Sequence, residues 1–476
     1  MTCPNKKPRS PPPLPPSTKL PGWAKTILTV LKPSFLKPQN SKQPLRKITP
    51  TTYLNGVRGL AASLVYIQHL LYAHWLHAGY SISPPNNHLI QLPIIRLLFS
   101  GRFMVSIFFI LSGYVLSYKP LLLARSRSTT NINTNTSTST SLLYTNLSSS
   151  AFRRTPRLFL PLIPAMIATA LAIQLTCYGA ENFSRDACTP RASSLWRQIL
   201  NYVPVLAHML DPSAWAEYYP PGLPHLWTLP MEFRGSMVVF LLVLGLGNSI
   251  PVFRFGILVL FALGFLYLGR WEVFLFVCGP ILAELRIWRD EKKREFDRES
   301  AFVRKPIYSD IARVGFWTGM FISGLFLGSW PAFQACSSMG FRHFCVLTPS
   351  PYKQSEVTQQ YFWISVGAFL LLLSFENLEA LQKPFTTRLA LYMGDISFGF
   401  YIVHWTMLFT VGTVIIGWCK GVLPYGGTEY SLGFFVGAVL TTPCVVWVGD
   451  VYWRLFDDGA VRCARWLDAR CGTKGE

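Results

Sequence analysis

The chain has 476 residues, of which half are hydrophobic and 14% are charged, and its mean hydropathy is positive at +0.30. That balance excludes a water-soluble domain of this length and fits a chain whose apolar runs recur at the length of a bilayer crossing. The formal net charge of +21 would suggest nucleic acid in a soluble protein. Here the basic residues are grouped in alternate connections, so the charge reads as membrane topology and nucleic acid is not an expected partner.

Residues 1–50 are rich in Pro, Lys and Ser and include PRSPPPLPP, which reads as a disordered or extended cytosolic tail. It holds no apolar signal-peptide core, so the first membrane helix is expected to act as an uncleaved insertion signal. The membrane domain is expected over 51–456, followed by a cytosolic tail over 457–476. Ten apolar stretches are predicted to form one all-α polytopic bundle: about 57–76, 103–121, 158–177, 229–247, 253–269, 271–287, 311–330, 361–376, 396–418 and 432–453. The second and ninth carry glycines and hydroxyls that suit close helix contacts. The fifth and sixth are split only by Gly269 and Arg270, which demands a very tight hairpin unless the two form one re-entrant element. No repeat of fixed period is visible.

The connections differ in composition. Lys and Arg concentrate in the N-terminal tail, 119–157, 286–310 and the C-terminal tail, and are sparse in 178–228, 331–360 and 419–431. Basic connections prefer the cytosol, so both termini are expected there, as an even number of crossings requires. Residues 126–150 form a polar, low-complexity insertion, expected to be floppy and cytosolic, whose sequons at Asn135 and Asn146 would stay silent. Asn182, in an outward connection, is open to glycosylation. Cys177 with Cys188, and Cys336 with Cys345, are candidates for luminal disulfides. The other six cysteines read as packing residues, and no Cys/His spacing suggests a metal site.

Ionisable residues within apolar stretches point to function. Arg58 and His69 are eleven positions apart in GVRGLAASLVYIQHLLYAHWLH, on one helix stripe and roughly 16 Å apart along the axis. An imidazole there is a natural proton acceptor, against the plainer account of a His satisfied by a neighbouring helix and an Arg snorkelling to the headgroups. Arg154 and Arg157 share a face ahead of the third stretch, where several guanidiniums make a good phosphate clamp or simply a topogenic cluster. Glu232 stands at the start of the fourth stretch, suited to orienting an imidazole or to pairing with Arg234. Ser397, Tyr401 and His404 follow i, i+4, i+7 and line one face, with Asp395 nearly opposite His404. They are candidates for substrate contact, as is Arg102, or for hydrogen bonding between helices.

Five segments in this order resemble the acyltransferase type 3 family of integral membrane O-acyltransferases. They are LNGVRGLAA at 54–62 with His69, FFILSGYVL at 108–116, RRTPR at 153–157, HLWTLPME at 225–232 and DISFGFYIVH at 395–404. The resemblance implies a ten-helix domain that takes an acyl group from cytosolic acyl-CoA, acetyl-CoA being one candidate, and passes it to an acceptor hydroxyl. It implies no permanently bound cofactor. Arg58, Arg153, Arg154 and Arg157 would hold the coenzyme A phosphates, His69 would be the general base, and Glu232 would stabilise its cation. The family usually has Asp at the position of Asn55, an aromatic at that of Gln68, and often a second acid at that of Phe233. The style of the low-complexity insertion points to a eukaryotic, fungal chain, in an endomembrane (ER or Golgi) or the plasma membrane. The reading from another class is a multi-pass transporter or exporter that binds substrate or protons through its buried His, Arg and Glu.

Overall fold

The structure is a computed structural model that describes residues 29–36, 49–71, 73–129, 136–175, 178, 190–299, 307–426 and 430–471. The chain divides into two units, 1–43 and 44–476. The described part of the first holds one 3-10 turn, Ser34–Leu36. Most of the predicted N-terminal tail, with Cys177, Cys188, Asn135 and Asn182, lies outside the described residues.

In the second unit each predicted apolar stretch falls mainly on helix, the first ending at Leu70 rather than near 76, and the described residues hold no strand. The main helices are α1 (Thr52–Leu70), α2 (Gly101–Thr129), α3 (Thr136–Phe159), α4 (Leu162–Gln174), α5 (Thr228–Leu246), α6 (Pro251–Tyr267) and α7 (Trp271–Glu299). They continue as α8 (Ile307–Gly328), α9 (Glu356–Asn377), α10 (Arg388–Met407), α11 (Thr413–Val422), α12 (Leu432–Tyr452) and α13 (Asp458–Cys471). Local sequence explains several ends. Ser355 and Thr358 form a reciprocal capping box on α9, with bonds of 3.0 and 3.1 Å. Pro251 opens α6, where its missing N–H costs nothing. Pro161 interrupts the third predicted stretch, so α3 stops and α4 restarts beyond it.

Among the described residues seven helical stretches are long and apolar enough to cross a membrane: Gly101–Arg125, Ser141–Gln174, Pro224–Leu246, Ile311–Gly328, Glu356–Asn377, Arg388–Val422 and Leu432–Cys471. The count of ten is therefore not confirmed. The three others fall short for visible reasons: α1 carries Asn55, Arg58, Gln68 and His69, α6 has only 17 residues, and α7 carries Glu272, Glu284 and Arg286. Large apolar side chains on α6, α8 and α12, among them Val252, Leu260, Phe316, Ile322 and Val439, are exposed, as a lipid-facing surface requires.

Two predicted features changed or gained definition. Residues 136–150 are helical from Thr136 onward, not floppy, because Leu143 and Leu147 recur at i, i+4 and are both buried. The end of the chain is likewise a helix, α13, which packs on α3 and accepts a 2.5 Å hydrogen bond from Ser149 at Asp468. The α6–α7 hairpin forms as expected: Gly269 takes a positive φ of 81°, and the Arg270 N–H returns to the Phe265 carbonyl at 2.9 Å. A disulfide joins Cys336 and Cys345.

The core pairs α2 with α7, α1 with α10, and α8 with α9. Close approach needs glycine. A Cβ at Gly59 would lie 2.4 Å from the Gly394 nitrogen, and one at Gly113 would lie 2.2 Å from the Phe276 carbonyl oxygen. The first contact brings α1 and α10 together, the second α2 and α7, and the candidate site lies on the α1–α10 pair.

Candidate active site

Helix α1 carries one functional group near each end, and α10 supplies neighbours to both. At the first end, Arg58 donates from Nη2 to Asn55 Oδ1 at 3.1 Å and to the Gly394 carbonyl at 2.8 Å. Asn55 Nδ2 donates onward to Asp395 Oδ1 at 2.8 Å. The Asn55 amide thus relays from Arg58 to the carboxylate of Asp395 across the helix pair. Asp395 is not hydrogen-bonded to His404, in keeping with their nearly opposite positions on the helix. Arg58 Nε is buried without a partner among the described residues, and Arg157, Asp457 and Glu232 are charged neighbours of the same guanidinium. Asp457 sits in the π-helical turn after α12, where nothing in the sequence singled it out.

The three arginines of 153–157 have different fates. Arg154 is 8% exposed; its Nη2 lies 2.9 Å from Glu232 Oε1, and its Nε donates to Ser236 Oγ at 2.9 Å. Ser112 of α2 donates to the same Glu232 oxygen at 2.9 Å. Glu232 is therefore held between α2 and α3, and its partners do not include His69 or Arg234. Arg153 donates to the Ser149 carbonyl at 3.0 Å and lies 3.4 Å from Asp468 of α13. Arg157 is exposed and has no hydrogen bond or ion pair among the described residues. Of the three, Arg157 is the guanidinium with an open face.

At the other end of α1, three imidazoles meet. His69 stacks on His404 with ring centroids 5.3 Å apart, and His225 lies 4.7 Å from His404 on another side. Trp405 packs against His69 and His225, at 5.0 and 5.7 Å. Helix α10 positions His404 through its own backbone: Nδ1 is 2.6 Å from the Tyr401 carbonyl. A carbonyl only accepts, so Nδ1 carries the hydrogen and Nε2 keeps its lone pair. The same logic applies to His225, whose Nε2 is 3.3 Å from the Ile402 carbonyl, leaving Nδ1 as an acceptor. His404 Nε2, His225 Nδ1 and His69 Nδ1 are all buried and have no partner among the described residues. His69 itself is half-buried, whereas the other two rings are almost fully enclosed. Three imidazoles converge here, each with a free ring nitrogen.

The remaining α10 candidates serve the packing around this cluster. Tyr401 OH bonds Thr228 Oγ1 at 2.7 Å and donates to the His225 carbonyl, tying α10 to the start of α5. Ser397 Oγ returns to the Gly394 carbonyl at 2.8 Å. Arg102, at the start of α2, donates to Gln360 Oε1 at 3.0 Å and lies 5.6 Å over the Tyr361 ring. His225 is the residue that sequence reasoning passed over. It opens the HLWTLPME segment, but its separation of 156 and 179 residues from His69 and His404 hid the convergence. Among the described residues no group of three His, Cys, Asp or Glu is arranged to hold a metal ion.

A bundle of apolar helices with buried histidine, arginine and glutamate clusters defines a multi-pass helical membrane protein, and comparison supplies its class. Residues 51–450 match the model of the acyltransferase domain, so the chain belongs to the acyltransferase type 3 family and is a membrane acyltransferase. The chain is similar to the O-acetyltransferase PaAT-1 of Phomopsis amygdali, 29% identical over 94% of this chain and 90% of that protein. It is also similar to acyltransferase R4 of a Phoma species and acyltransferase clz18 of Cochliobolus lunatus. Each is 24% identical, over 89% and 90% of this chain and 96% of the relative. The relatives are fungal. No solved structure matches.

Proposed function

We propose that this protein is an acyl-CoA-dependent O-acyltransferase with His69 as the general base. The observation that carries the reading is the arrangement on α1: a guanidinium cluster at one end and an imidazole cluster with free ring nitrogens at the other. Eleven helical residues separate Arg58 from His69, about 16 Å at 1.5 Å per residue, a span suited to the pantetheine arm of coenzyme A. Arg157 and Arg58 hold the phosphates, with Arg153 at the margin of the site. Arg154 acts through Glu232 by fixing α2, α3 and α5 around the path of the arm. The acetyl name of the PaAT-1 relative makes acetyl-CoA the first donor to test.

The reaction balances through one imidazole. His69 takes the acceptor's hydroxyl proton as that oxygen attacks the thioester carbonyl. The O–acyl bond forms, the C–S bond breaks, and the imidazolium returns the proton to the departing thiolate. His404 and His225 are acceptors fixed by their carbonyl partners; the hydroxyl's single hydrogen goes to His69, so these two rings hold a water beside the acceptor instead. Direct transfer is favoured over an acyl-enzyme because no nucleophile-elbow motif is present. Both termini and the 286–310 connection face the cytosol in this reading, on the distribution of Lys and Arg.

The test is release of free coenzyme A from acetyl-CoA by the purified protein in detergent, with a panel of hydroxyl acceptors. Turnover that disappears in His69→Ala supports the reading. Accumulation of a solute in vesicles with no thioester consumption would replace it with the transporter reading.

A further inference from the structure

One cleft, lined in part by Gln68, the residue before His69, has no role in the account above. It is lined by Gln68, His77, Arg96, Ser100, Arg102 and Gln360, among others, and is small, with a volume of about 20 Å³ that is partly open to the outside. Pockets for whole small ligands run to roughly 300–1,000 Å³, so this one has room for a few atoms at most, such as a carboxylate, with the rest of a ligand outside it. Gln68, next to His69 in the chain, reaches over the start of α2. A Cβ on Gly101 would lie 1.9 Å from Gln68 Oε1.

The charge in this cleft is one-sided. Arg96 is only 3% exposed, and its hydrogen bonds go to backbone carbonyls: Nη1 to Ala78 at 2.9 Å and Nη2 to His77 at 3.2 Å. Its Nε is buried with no partner among the described residues. Burial with no counter-charge draws its pKa down to about 9. Arg102 is the second guanidinium, and Gly101 begins a helix of 29 residues whose first-turn N–H groups favour an anion. No acidic residue lines the cleft. Glu217 is an electrostatic neighbour of Tyr219 and Tyr361, as Arg102 is, but it stands outside the lining. A buried guanidinium with only carbonyls for company is costly, and a bound carboxylate would relieve that cost.

We propose that the cleft seats an anionic group of the acyl acceptor. The acceptor is then a hydroxy acid whose carboxylate meets Arg96, Arg102 and the start of α2, while its hydroxyl reaches His69 past Gln68. This rests on the acyltransferase reading for the role of His69, but the site itself is defined by charge and shape.

The test reads binding, not turnover. The purified full-length protein in detergent is titrated with glycerate, methyl glycerate and glycerol 3-phosphate, following its thermal midpoint. Glycerate is expected to raise the midpoint saturably, and its methyl ester is not. Gln360→Glu, nearly isosteric, sets a carboxylate beside Arg102 and should weaken glycerate binding about tenfold or more, as should Arg102→Gln, with affinity for coenzyme A unchanged. Equal responses to acid and ester, no saturable response to glycerate, or full glycerate binding in both variants would each overturn the proposal. Tighter binding of glycerol 3-phosphate than glycerate would reassign the cleft to phosphate. A loss of coenzyme A affinity in the two variants would reassign it to the donor. Because no step needs turnover, failure of the transferase reading and failure of this one are separate results.

Discussion

Arg154 and Arg157 lie one helical turn apart, yet the structure predicts opposite consequences for their loss. Arg154 is 8% exposed and bonded to Glu232 and Ser236, both at 2.9 Å. Arg154→Ala strands the Glu232 carboxylate between helices with Ser112 as its remaining donor. Removing one partner of a buried pair costs about 3–5 kcal/mol. Glu232 keeps one hydrogen bond and is 21% exposed, so the lower end, about 3 kcal/mol, applies here. That is roughly a 150-fold shift in the folding equilibrium. Arg157→Ala, at an exposed site with no ion pair among the described residues, should change stability by less than about 1 kcal/mol and weaken coenzyme A binding instead. The assay is denaturant unfolding in a fixed detergent beside coenzyme A titration of each variant at matched folded yield. The double change Arg154→Met with Glu232→Gln should recover most of the lost stability, because no charge is then left unpaired. An Arg154→Ala protein as stable as the wild type, or no recovery in the double variant, would refute the buried-pair argument. Unchanged coenzyme A affinity in Arg157→Ala would return that residue to a topogenic role.

His69→Ala should lower turnover about 100-fold or more with acyl-CoA affinity nearly intact, and His404→Ala and His225→Ala should each be milder. A larger defect in His404→Ala, measured as thioester turnover, would move the base to α10. Wild-type activity should rise with pH as the imidazole loses its proton, because protonated imidazole cannot accept the hydroxyl proton; activity that instead grows on acidification would count against His69 as base. Gly59→Leu should disrupt folding, since even a Cβ there sits 2.4 Å from the Gly394 nitrogen, and normal yield of folded protein would show that α1 and α10 are less tightly packed than described. Cys336 and Cys345 should resist alkylation until reduced, and a tag at 340 should be protected from cytosolic protease while one at 295 is cleaved. Equal cleavage of both tags would reverse the topology.

The sequence by itself determined the helical membrane class, the position of most long apolar helices, the tight turn at Gly269 and the family. Each of these rests on local chemistry: apolar runs long enough for a bilayer, a glycine where φ must be positive, and short motifs in a fixed order. Arg58 and His69 were legible as a pair for the same reason, since one helix sets their spacing. The low-complexity segment misled because composition does not reveal that Leu143 and Leu147 find a buried surface. Only the tertiary structure decided which polar groups meet. Burial and pairing depend on residues hundreds of positions away, so no local pattern separated enclosed Arg154 from exposed Arg157 or turned Glu232 toward Ser112. The convergence of His225 with His69 and His404 likewise depends on packing α1 against α10 and anchoring the start of α5 through Tyr401 and Thr228. Three weak signals became one cluster because helix contacts, not sequence spacing, set the distances between their rings.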